Sequence, residues 1–177
     1  MKNVLKAVIV IAVVTLALFL VSFGLKGIAS KKAAEEQNYV FSYLLMDSTS
    51  FEEEEYTGDD ANIQRVFKGS NGYIVETMVS GYASDIVMWI GVKNDGYVTG
   101  LTIRDMDETL GLGGNALQDV DFLLQYLRNT GDGVVGEHID ALTGATVTSK
   151  SVTKSVNSAV AFVTGADITS SATEWGK

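Results

Sequence analysis

Apolar and polar positions follow three different rhythms along the chain. From Ala7 to Leu25, 19 residues pass without a charge. A helix of that length reaches about 28 Å, close to the hydrocarbon thickness of a bilayer. Residues 26–47 are more polar. Lys31-Lys32-Ala33-Ala34-Glu35-Glu36 combines good helix formers with opposite charges three to four apart, which predicts a membrane-proximal helix or linker. The acidic run Glu52 to Glu55, followed by Asp59 and Asp60, reads as a solvated face or loop. From residue 72 the period becomes two. Tyr73 to Val79 predicts one strand and Ile86 to Val92 a second, more buried one. Asn94-Asp95-Gly96 is a turn signal, because these residues tolerate positive φ, and Tyr97 to Ile103 returns as a third strand. The three form an antiparallel meander.

The third rhythm is helical. Asp119 to Arg128 carries Val120, Leu123, Leu124 and Leu127 at helical spacing, with an acid in the first turn to suit the dipole. Ser149 to Val163 carries Val152, Val156, Val160 and Val163 on one side, with Gly165 as a stop. The expected fold class is α+β: a twisted antiparallel sheet with packed helices, preceded by one N-terminal transmembrane helix. The expected segments are a short flank (1–6), the anchor (7–25), a membrane-proximal linker and helical stretch (26–71), a folded domain (72–165) and a polar tail (166–177).

Composition removes several classes. The chain has no cysteine, which excludes disulfide scaffolds, thiolate-ligated clusters, cysteine-type zinc and a cysteine nucleophile. Residues 1–32 hold five lysines and no acid. The remainder holds all 22 acids against eight basic residues, about −14. Such a surface does not suit nucleic acid, whose phosphates need clustered Lys and Arg. The apolar run exceeds the roughly 7–15 residues of a signal-peptide core, which favours an uncleaved anchor. Lys2 and Lys6 on one side balance Lys26, Lys31 and Lys32 on the other, so charge leaves the orientation open.

The chemistry concentrates before the last helix. Asp140-Ala141-Leu142-Thr143-Gly144-Ala145-Thr146-Val147-Thr148-Ser149 places four hydroxyls within seven residues, and its glycine permits close backbone approach. Amide groups at a helix start attract phosphate. The segment therefore suits a phosphate with a hydroxyl beside it. A plain helix cap by Thr148 or Ser149 explains the same residues. His138, the one histidine, reads as a surface or satisfied core residue, Trp89 as core, and Trp175 as part of the tail. Asp105, Asp107 and Glu108 read as solvated acids at a strand end.

Asp140 with Thr143-Gly144-Ala145-Thr146 resembles the flavinylation motif of the FMN-binding domain family. Glu108-Thr109-Leu110-Gly111-Leu112-Gly113 resembles a second segment of that family, and Gly81-Tyr82 through Gly96 resembles its opening strand pair. Leu110 stands where the family usually has proline, and Met106 where it often has histidine. The resemblance implies FMN held covalently by a phosphoester to Thr146. It implies cofactor contacts from Glu108, Thr109, Leu112, Gly113, Asp140, Thr143, Gly144, Ala145, Val147 and Thr148, with no metal and no catalytic residue of its own. A short chain with one apolar segment and one such domain is similar to the G subunits of Rnf-type electron-transport complexes, and to the longer C subunits of sodium-pumping NADH:quinone oxidoreductases. The implied role is an electron-carrier subunit of a ferredoxin:NAD oxidoreductase that translocates ions, not a stand-alone enzyme. Its implied partners are the other membrane and redox subunits, with a flavin transferase for maturation. The implied location is the cell membrane, flavin domain outside the cytoplasm. A flavin domain serving another reductase, or an anchored module without cofactor, are the competing readings.

Overall fold

The computed structural model describes the backbone of residues 2–109, 111–114 and 119–166, and in the first helix the side chains of residue 6, residues 11–16, 19–20 and 31 onward. Leu110, Trp175 and the tail beyond Ala166 lie outside the described residues. By contacts the chain divides into two units, Met1–Tyr39 and Val40–Lys177.

One continuous helix, α1 (Lys2–Leu44), takes up the whole N-terminal part. Both the apolar run and the charged stretch after it are helical, as expected. Ile11, Val13, Val14, Leu16, Phe19 and Leu20 are all exposed. Among the described residues no helix is long and apolar enough to cross a membrane; part of Ala7–Leu25 lies outside the described side chains.

The second unit is built on five antiparallel strands in sequence order: β1 (Glu52–Glu54), β2 (Ile63–Lys68), β3 (Gly72–Ser80), β4 (Asp85–Lys93) and β5 (Val98–Asp105). The last three match the expected meander, including the turn at Gly96, whose φ is +87°. The first two were expected to be loop and linker. Period two fails to reveal them for physical reasons. β1 is exposed on every residue and is held by cross-strand ion pairs, Glu53 with Arg65 at 2.7 Å and Glu54 with Lys68 at 3.1 Å. In β2 a bulge between Ile63 and Arg65 breaks the alternation.

Both faces of the sheet are covered. On one face, Val75, Met88, Ile90 and Val92 join Val152, Val156 and Val160 of α3 (Thr146–Thr164) in the main core. On the other face, Ile74, Trp89 and Phe67 pack against Phe41 and Leu44 at the end of α1 and Leu45 just after it. That end approaches the sheet closely. Gly91 and Gly100 are paired across β4 and β5. A β-carbon at Gly100 would lie 2.9 Å from Leu44 Cα, and one at Gly91 would run into the Leu44 carbonyl. Thr99 Oγ1 donates to that carbonyl at 2.6 Å.

The helix expected over 119–128 is shorter, α2 (Val120–Leu124), capped by Asp119 through Phe122 N at 2.9 Å. Of its expected apolar face only Leu123 packs against the main core. Val120, Leu124 and Leu127 are exposed, while Phe122 and Tyr126 are buried. After five residues the chain tightens into i→i+3 turns, so the helical spacing no longer holds. The two aromatic rings meet edge to face at 5.4 Å, and Tyr126 OH shares a 2.8 Å hydrogen bond with Thr153 Oγ1.

Candidate functional site

α3 begins three residues earlier than the sequence suggests, so Thr146 is its first residue. The chain enters the helix through a tight turn. Gly144 adopts φ +74°, and Ala145 N donates to Leu142 O at 3.0 Å. The N-cap is Ala145, and no side chain caps the first turn. The first three amides of a helix have no intrahelical acceptor. Among the described residues those of Thr146, Val147 and Thr148 are thus left for another acceptor, and Ser149 N closes the first turn onto Ala145 O at 3.0 Å.

The cap reading of Thr148 and Ser149 fails on their partners. Thr148, 1% exposed, donates through Oγ1 to Glu108 Oε2 at 2.7 Å. Ser149, fully buried, donates to Ala145 O at 2.9 Å and accepts from Leu142 N at 2.9 Å. Thr146 is exposed.

A cleft of about 340 Å³ opens over this helix start. It is lined by Glu108, Thr109, Leu112 and Gly113 from the segment after β5, and by Gly144, Ala145, Thr146, Val147 and Thr148. These are nine of the sequence-derived site residues, brought together from two stretches up to forty positions apart. Tyr82, in the turn between β3 and β4, forms another wall. Sequence reasoning passed over it, although an aromatic residue just after a glycine in a strand-to-strand turn was visible. Asp140 and Thr143 do not reach the cleft. They line a separate polar hollow with Asp119, Asp121 and Gln125. The Asp140 amide donates to Gln125 Oε1 at 2.7 Å. A second, more polar cavity of about 420 Å³ lies beside the cleft, with Met78, Asp85, Lys150 and Lys154 in its wall and Val147 in common. His138 lies outside both cavities, its Nδ1 2.9 Å from the Asp132 carbonyl. Met106, where a proton relay would need a histidine, packs against the main core.

Glu108 was expected to be a solvated acid that the resemblance alone made interesting. It is buried, 7% exposed. Its Oε1 accepts from Ala83 N at 2.8 Å and Ser84 N at 3.1 Å, and its Oε2 from Thr148. Burial pushes the carboxyl up, but the Thr148 hydroxyl and the amides of Ala83, Ser84 and Tyr82 outweigh it, holding the group below the usual carboxylate range.

The cleft fits a flat apolar ring with an anionic tail. Leu112 and Tyr82 give the walls, Gly144 brings backbone against Leu112 so closely that a β-carbon there would lie 2.9 Å from Leu112 Cδ2, and the open amides of α3 suit a phosphate. A family model described as the FMN-binding domain matches residues 81–161. The G subunit of the proton-translocating ferredoxin:NAD(+) oxidoreductase complex of Clostridium ljungdahlii is 33% identical over 144 residues, covering 77% of each chain. The G subunit of the Na(+)-translocating ferredoxin:NAD(+) oxidoreductase complex of Acetobacterium woodii is 36% identical over 100 residues, covering 50% of this chain and 47% of its own length. With matches of that extent laid over a cleft of that shape, the chain belongs to the FMN-binding domain family, together with these G subunits.

Proposed function

We propose that the chain is the electron-carrying subunit of a membrane-bound, ion-translocating ferredoxin:NAD(+) oxidoreductase complex of the Rnf type, with FMN esterified through its phosphate to Thr146. The observation that carries the attachment site is the fate of four neighbouring hydroxyls. Thr148 and Ser149 are buried and engaged, Thr143 faces another hollow, and Thr146 is exposed in the cleft beside open helix amides. When bound, FMN supplies one- and two-electron redox chemistry. The protein's part is to hold and orient. The amides of Thr146, Val147 and Thr148 suit the phosphate, while Leu112 and Tyr82 exclude water from the ring.

The role within a complex follows from the relatives' names. The other membrane and redox subunits of such a complex are then its partners, and a flavin transferase matures it, because a threonine hydroxyl does not esterify FMN unaided. The anchor is part of the same proposal. Ile11, Val13, Val14, Leu16, Phe19 and Leu20 point in every direction around α1 and are exposed, as a helix surrounded by lipid requires. The family resemblance supports an extracytoplasmic side for the flavin domain.

Intact mass spectrometry of chain co-expressed with a flavin transferase should exceed the sequence mass by one FMN less one water. The yellow colour should survive urea. Thr146→Ala should be colourless yet folded, and label recovered on Thr148 would overturn the assignment.

A further inference from the structure

Three stretches distant in sequence converge on one buried side chain. The turn after β3 (residues 81–84) gives the amides of Ala83 and Ser84 to Glu108 Oε1, and the first turn of α3 gives the Thr148 hydroxyl to Oε2. The segment after β5 supplies Glu108 itself. Two glycines make room for it. A β-carbon at Gly81 would strike Glu108 Oε1, and one at Gly113 would lie 2.8 Å from Oε2 and collide with Thr148 Oγ1. The turn is tight, with Gly81 N donating to Ser84 O at 2.8 Å. Asp107 N donates to Ser84 Oγ at 2.8 Å, a second tie between the same two stretches. Tyr82 stands at the tip of that turn. It is 73% exposed, in contrast to the buried carboxylate behind it, and it faces the cleft whose other wall is Leu112, four residues beyond Glu108.

We propose that Glu108 is a positioning residue: its carboxylate clamps the Tyr82 turn to the start of α3 and so fixes the gap between Tyr82 and Leu112. The proposal rests on the reading of the cleft as the flavin site. Glu108 acts through the turn. Its two oxygens are occupied by protein donors, so its effect on a ring held in the cleft is transmitted by Tyr82. The chemistry fits the task. A carboxylate gathers two backbone amides and a hydroxyl by accepting at both ends, and its charge strengthens each bond. An aspartate is one methylene too short to span the same donors. Glutamine keeps the length and one acceptor oxygen for the two amides, and its NH₂ can donate to Thr148 Oγ1. Glutamine therefore preserves the placement although it removes the charge.

The test uses the full chain, flavinylated and in detergent. A tyrosine ring against an isoalloxazine quenches its fluorescence, so the yield reports the Tyr82 gap. Tyr82→Ala should raise the yield severalfold. Glu108→Ala and Glu108→Asp should approach that rise, and Glu108→Gln should stay near wild type. Adding Glu108→Ala to Tyr82→Ala should change nothing further, since the two act in series. A Glu108→Ala effect that persists in the Tyr82→Ala background, or a Glu108→Gln variant as bright as Glu108→Ala, would overturn the proposal. Hydrogen exchange provides a readout independent of flavin. In the colourless Thr146→Ala chain, the amides of Ala83 and Ser84 should be protected, and Glu108→Ala should release both by at least tenfold. Protection that is unchanged in Glu108→Ala overturns the clamp. Failure to attach flavin to the wild-type chain overturns the cofactor reading and leaves this exchange test standing.

Discussion

Within seven residues, a hydroxyl has three meanings. By residue type alone Thr146, Thr148 and Ser149 are equivalent candidates; only the family motif ranks them in the sequence, and in the structure what separates them is a partner: Glu108, forty residues earlier, for Thr148, and the Ala145 carbonyl for Ser149. For the same reason Asp140 and Thr143 belong to the sequence motif but not to the cleft. The motif resemblance singled out Thr146 within the segment, and burial sets it apart from Thr148 and Ser149. Glu108 brings a dependence on pH. Its carboxyl is held below its ordinary value in the folded chain, so the unfolded state binds the proton more readily. The stability it contributes is complete above the ordinary carboxyl range and is lost as pH falls through the lowered folded value. Urea midpoints of wild type and Glu108→Gln should therefore differ most at neutral pH and converge in acid; a difference that grows on acidification contradicts the ionised clamp. Thr148→Val removes a donor to the same carboxylate and should cost about 1–3 kcal/mol in the same titration.

Strands were legible in the sequence where burial imposed alternation, and illegible where charge or a bulge replaced it. β3, β4 and β5 declare themselves through Val75, Ile90 and Ile103 facing one core. β1 has no apolar residue at all, and its pairing with β2 rests on Glu53–Arg65 and Glu54–Lys68. Such exposed pairs contribute little each, so Glu53→Ala should shift stability by less than about 1 kcal/mol. α2 failed for a different reason. A ten-residue pattern assumed a ten-residue helix, whereas the helix gives way to turns and buries Phe122 and Tyr126 instead. The docking of α1 could not be read from periodicity, since its signal is two glycines in facing strands. The close approach of Leu44 to Gly91 and Gly100 makes that saddle intolerant of even a methyl group. Gly91→Ala should destabilise the sheet unit by about 1–3 kcal/mol, the usual range for overpacking. A urea midpoint equal to wild type would show that Leu44 moves aside freely.

On the scale of the whole chain, charge and hydropathy divide where the structure divides. The lysines without acids lie in residues 1–32, and the sheet unit begins at Val40 with nearly all of the acidic surface. Phe41, Leu44 and Leu45 complicate a simple cut between anchor and domain. They belong to the end of α1 and the turn after it, yet they are 0%, 6% and 0% exposed and complete the second face of the sheet with Trp89. This fixes what truncation should do. A chain beginning at Val40 keeps all three side chains and should fold, remain in the soluble fraction and accept flavin at Thr146. A chain beginning at Phe51 loses them. Each large buried side chain removed from a core costs about 2–5 kcal/mol, and the total rivals the roughly 5–15 kcal/mol that holds a domain together. That shorter chain should be unfolded or aggregated by circular dichroism, despite containing every cleft residue. The full chain should stay with membranes through an alkaline carbonate wash, keep Met1 at its N-terminus, and lose its flavin domain to protease added outside intact cells. A mature, soluble product starting near Ser30 would turn the apolar run into a cleaved leader. It would leave the cleft as it is, because the cleft is lined by Tyr82, the segment after β5 and the start of α3.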